Sequence, residues 1–122
     1  KPLVDAGVDA FHCSQRRFWE PEFEGSDMNL AGWVKKLTGM PTITVGSVSL
    51  DQDFISQTSE GDGAESKPAS IDRLLEMLDR GDFDLVAVGR ALIANPDWPK
   101  VVRSGDTLGL RAFSKDQLAT LD

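Results

Sequence analysis

Two short stretches carry residues whose types suit the capture of an anion. In "ITVGSV" (residues 43–48) an aliphatic run stops at Gly46 and Ser47. In "LVAVGRALIANPDW" (residues 85–98) a second run stops at Gly89, presents Arg90, and restarts as an apolar segment closed by Asn95, Pro96 and Asp97. Glycine lets a backbone approach a ligand closely, and a turn or helix start aims N–H groups outward. A guanidinium is a planar cation matched to phosphate oxygens. The piece "ALIAN" can form one or two helical turns whose N-terminus adds partial positive charge to the same spot. A single glycine after a strand is ordinarily only a turn, and a single arginine ordinarily a solvated charge. The recurrence of the pattern points to phosphate binding by Gly46, Ser47, Gly89 and Arg90.

These corners need elements to hold them. "DAFHCS" (residues 9–14) follows the Gly7 turn and is short and mostly apolar, as a buried strand is. Residues 41–45, "PTITV", are β-branched and make a second strand, and residues 83–88 make a third. Between the first two, Leu30, Trp33, Val34 and Leu37 fall on one helical stripe, with Ser26 or Asp27 as N-cap and Gly39 as left-handed stop. Between the second and third, Ile71, Leu74, Leu75 and Leu78 form another stripe, capped by Ser70 and ended by Gly81. Crossovers of this length join parallel strands, which makes the chain α/β. In a parallel sheet the strand C-termini share one edge, so both glycine corners are expected there. Residues 56–70 offer almost nothing to bury and read as a mobile surface insertion.

Composition bounds the function. The chain has 122 residues, 40% hydrophobic and 27% charged, the mixture of an ordinary globular domain. A net charge of -7 argues against nucleic acid, whose binders need a basic face. No apolar run reaches the length of a membrane span, and the N-terminus lacks the core of a secretory signal, so the expected location is cytoplasmic with no membrane partner. With one cysteine, Cys13, and one histidine, His12, neither a disulfide nor a zinc site is expected, and Cys13 reads as a small buried hydrophobe. The chain opens on what reads as the end of a helix, which suggests a portion of a longer protein.

The segments "FDLVAVGRALIANPDW", "PTITVGSV" and "GVDAFHCSQRRFWEPEFEGSDMNLAGWVKKLTG" resemble the C-terminal part of the old yellow enzyme family of FMN-dependent NAD(P)H:flavin oxidoreductases. The resemblance implies that the chain supplies about strands 6 to 8 of a (β/α)8 TIM barrel, one partial domain over residues 1–122. It implies FMN as cofactor, NAD(P)H as reductant and an activated alkene as small-molecule substrate. Gly46 and Ser47 would donate backbone amides to the FMN phosphate, and Gly89 and Arg90 would complete the cradle. Relatives often carry glycine or asparagine where Ser47 stands, which leaves its amide usable and its side-chain contact open. The family's substrate-polarising His with His or Asn, its tyrosine proton donor and its arginine near the pyrimidine ring belong to earlier strands. No catalytic residue is therefore expected here, and His12 does not match one.

Phe18 and Trp19 lie just past the first strand, on the active-site side of such a barrel, where they would line the alkene pocket or else pin the loop to its neighbours. Phe113 would pack in the core or on the flavin's edge. A barrel of this kind takes about 250 residues, so this chain would need the missing N-terminal half as a partner, would be inactive alone, and would self-associate through exposed strand edges. Another phosphate-binding barrel enzyme, or a non-enzymatic scaffold module, would share the glycine corners and bind no flavin.

Overall fold

A computed structural model of the chain describes residues 2–50, 65–66, 70–105 and 109–119. Its contacts group into two compact units. The first is Lys1–Gly46 with Ile71–Ala87, and the second is Ser47–Ser70 with Val88–Asp122.

The first unit is α/β. Helix α1 (Pro2–Asp5) ends in a turn at Gly7, whose φ of 99° requires glycine, and leads to β1 (Phe11–Cys13). Helix α2 (Leu30–Thr38) ends at Gly39 with φ 69°, and β2 (Thr42–Thr44) follows. Helix α3 (Asp72–Asp79) precedes the last strand of this sheet, Leu85–Val86. The strands pair in parallel, with the Thr42–Thr44 strand at the centre. The expected parallel arrangement is present, in strands shorter than the sequence suggested. They stop where backbone pairing stops, which hydrophobic patterning does not mark.

Register separates the two faces of the sheet. Cys13 and Thr44 are partners, and both are buried. His12, Ile43 and Leu85 form the adjacent cross-strand row, and on it His12 is exposed and Leu85 is 60% exposed. Polar anchors tie the elements together. Asp84 accepts from Lys35 Nζ at 2.5 Å and from the Thr42 backbone N–H at 2.9 Å, joining the approach to the Leu85–Val86 strand to α2 and β2. Both partners favour the charged form, so the Asp84 carboxyl is more acidic than an ordinary aspartate. Asp82, 8% exposed, holds Arg80 through both carboxylate oxygens.

Four sequence expectations need correction. On α2 the buried residues are Ala31 and Gly32, while Leu37 of the expected stripe is 60% exposed and Leu30, Trp33 and Val34 are half-buried. The N-cap of α2 is Asn29, whose Oδ1 accepts from the Gly32 N–H at 2.9 Å. Ser26 instead accepts from the Met28 N–H inside the preceding loop. The N-cap position of α3 is Ile71, with no side-chain cap bond, so Ser70 does not cap it. On α3 the buried side chains are Leu74 and Met77, while Leu75 and Leu78 of the expected stripe are 50% and 39% exposed.

The second unit is built on different pairing. Strand β3 (Glu65–Ser66) runs antiparallel to Phe113–Ser114. Two residues of the expected insertion therefore belong to a strand; most of residues 56–70 lie outside the described residues. Numbering in chain order makes Leu85–Val86 strand β4 and Phe113–Ser114 strand β5. Helices α4 (Arg90–Ala94) and α5 (Trp98–Ser104) and a 3₁₀ turn (Lys115–Ala119) complete the unit. Leu50, Ala91, Ala94 and Phe113 form its buried core, with Val88, Ile93 and Trp98 against it. Buried Asn95 closes the unit, donating to the Arg111 carbonyl at 3.0 Å and accepting from the Arg111 N–H at 2.8 Å. Among the described residues no helix is long and apolar enough to cross a membrane.

Candidate functional site

Arg90 is the first residue of α4, directly after Gly89, and it is half-buried. Its Nη2 donates to Ser47 Oγ at 3.2 Å, across 43 positions of sequence. Its guanidinium lies 5.9 Å from the Phe113 ring centroid, within reach of a cation–π attraction. Phe113 is 1% exposed and belongs to the core, so core packing is its role within this unit. A ring below and a hydroxyl at one side hold a planar cation in one orientation.

Ser47 and Ser49 are both nearly buried, and both have positive φ, 54° and 63°. Each such conformation costs a non-glycine residue on the order of 1–3 kcal/mol. Left-handed residues within a right-handed backbone tilt successive N–H groups toward one side, the geometry of an anion-binding concavity. The strained turn and the oriented guanidinium belong to the same compact unit. Of what a phosphate monoester needs, a fixed cation is what the Arg90 guanidinium can supply. Sequence alone could not reveal the strain at Ser49, because serine carries no left-handed signature.

Gly89 is exposed, and an added Cβ would meet nothing within 4 Å. Gly46 is different. Its φ is 138°, and an added Cβ would stand 2.3 Å from the Gln15 carbonyl oxygen and 3.1 Å from the Phe18 nitrogen. The Phe18 N–H donates to the Gly46 carbonyl at 2.9 Å. Glycine at this position is thus required by the loop after β1, whatever else its amide does.

That loop carries Phe18 and Trp19. Phe18 is 2% exposed and sits inside the first unit, whereas Trp19 is half-buried and meets Phe18 edge-on at 5.1 Å. Of the two candidate pocket residues, Trp19 keeps accessible surface. The loop is heavily bonded: Gln15 Nε2 donates to the Glu20 carbonyl at 2.7 Å, and Gln15 Oε1 accepts from the Leu30 N–H at 3.3 Å. At its far end Asp27 pairs with Arg80 at 2.7 Å and Arg73 at 3.3 Å. Hydrogen bonds from Arg80 first, then Arg73, hold the Asp27 carboxyl below the usual aspartate range. Asp82 and Asp27 in turn push the Arg80 guanidinium to a higher pKa. Cys13 is buried, and burial raises its thiol, consistent with an inert packed side chain.

No family model matches the chain. It is 34% identical over 113 residues to an NADH oxidase of Thermoanaerobacter brockii, aligned over 86% of this chain and 14% of that protein. The chain thus spans about 14% of the length of this curated relative. The similarity is to an oxidoreductase.

Proposed function

We propose that this chain is the phosphate-binding portion of an FMN-dependent oxidoreductase barrel that takes hydride from NAD(P)H. The observation that carries the reading is the Arg90–Ser47 hydrogen bond, which presets a guanidinium beside a strained serine turn. The likeness to an NADH oxidase supports a nicotinamide-linked redox reaction. A parallel sheet is the strand arrangement such a barrel uses.

FMN, when bound, would carry hydride from the nicotinamide to an activated alkene. The work of this chain's residues is binding and orientation. Arg90 would attract the phosphate through its guanidinium charge, and its hydrogen bond to Ser47 orients that group. The backbone at Ser47 and Gly89 would let the anion approach, and Trp19, the accessible aromatic of its own unit, is the residue for substrate contact. No group in this chain is assigned a proton-transfer role, which belongs to the rest of the protein.

The test is the visible spectrum of the intact purified protein with added FMN. Retained yellow colour with a shifted flavin band supports the reading. Phosphate binding without any flavin retention would instead favour another phosphate-binding barrel enzyme, and neither would favour a scaffold.

A further inference from the structure

We infer that Asn29 is a positioning residue: its side-chain amide nitrogen, acting through the Phe18 carbonyl, holds the loop that presents Trp19. Its consequence for substrate binding rests on the function proposed above; its hold on the loop does not.

Asn29 is fully buried, with 0% exposure. Its Oδ1 caps α2 through the Gly32 N–H at 2.9 Å. Its Nδ2 donates to the Phe18 carbonyl at 3.0 Å and to Thr44 Oγ1 at 3.1 Å. One side chain therefore joins a helix start, the central strand and the loop. Phe18's backbone N–H is fixed as well, by the Gly46 carbonyl at 2.9 Å. With both its backbone polar groups held and its ring buried, Phe18 gives the adjacent Trp19 a rigid base.

Residue type separates this role from capping. Serine, threonine, aspartate and asparagine all cap helices well, but of these only asparagine has an acceptor and two N–H donors on one side chain. A cap alone would be satisfied by aspartate. The bond to the Phe18 carbonyl would not, because that oxygen only accepts.

The experiment is hydrogen exchange with mass spectrometry on the intact protein, comparing the unmodified form with Asn29→Asp and Asn29→Ser. Both variants are expected to speed exchange in residues 15–20 roughly tenfold or more, as loss of a buried donor predicts, while residues 30–38 change little. Loop exchange equal to the unmodified protein in either folded variant overturns the inference. So does loss of protection in both segments together, which would make Asn29 a helix cap only. The unmodified protein supplies a check that needs no variant: the Phe18 amide must be protected, and exchange at the rate of an unstructured peptide overturns the inference.

A kinetic arm uses NADH-dependent reduction of 2-cyclohexenone as probe. In Asn29→Ser, KM for the enone is expected to rise roughly fivefold while kcat stays within about twofold; an unchanged KM alongside a released loop overturns the positioning of Trp19. An intact protein that retains no flavin refutes the proposed function and leaves the exchange result to decide Asn29 by itself.

Discussion

Replacing Gly46 by alanine tests the packing of the loop after β1. The new Cβ would lie 2.3 Å from the Gln15 carbonyl oxygen, and the residue would keep a φ of 138°. The conformational part costs on the order of 1–3 kcal/mol. Forcing backbone apart in a packed interior costs typically about 1–3 kcal/mol more. The sum, roughly 2–6 kcal/mol, is a large share of the about 5–15 kcal/mol that stabilises a typical domain. The Phe18 N–H bond to Gly46 is strained by the same displacement. Gly89→Ala is the control, because its Cβ meets nothing within 4 Å, and its cost should stay within about 0.5 kcal/mol. Urea denaturation of the intact proteins, read as a midpoint shift at constant slope, measures both. A Gly46→Ala variant within about 0.5 kcal/mol of the unmodified protein would refute the clash argument. Impaired FMN binding by Gly89→Ala, its fold intact, would then report on the anion site itself.

Other outcomes follow from the same geometry. Phe113→Ala empties the centre of the second unit's core and should cost about 3–5 kcal/mol, measured by the same denaturation. Asp27 is more acidic folded than unfolded, so the stability it contributes is complete above its ordinary value of 3.8 and is lost as pH falls through the lower folded value. Asp27→Asn should therefore flatten the acid side of a melting-temperature profile. High salt should have a similar effect on the unmodified protein, since the pair is exposed. Arg90→Lys keeps the charge but loses the planar fork, and should weaken FMN binding roughly tenfold or more by titration calorimetry.

The parallel α/β core was legible because β-branched runs such as residues 41–45 end at glycines and alternate with helix-length segments, although which side chains those helices bury was not. Cys13 as a buried hydrophobe and Gly39 as a helix stop were legible for similarly local reasons. The α2 cap was not, since Ser26 and Asp27 are equally good capping residues by type and only the fold decides that Asn29 is buried. The β3–β5 pair was hidden because Glu65 and Ser66 carry no strand pattern; their pairing comes from distant residues. By type, Gly46 reads as a residue for ligand approach, whereas the Gln15 carbonyl by itself excludes a side chain there. At the candidate site, sequence pointed to Ser47 and Arg90 as anion ligands. Their mutual hydrogen bond and the positive φ of Ser47 are products of tertiary contact.

Calorimetric titration of the intact apoprotein with FMN and with riboflavin, which lacks the phosphate, addresses the Ser47–Arg90 site most directly. FMN should bind at least roughly a hundredfold more tightly than riboflavin, equivalent to about 2.7 kcal/mol or more, and Arg90→Ala should erase most of that difference. Equal affinity for the two flavins, or a preference for FMN that survives Arg90→Ala, would contradict the assignment.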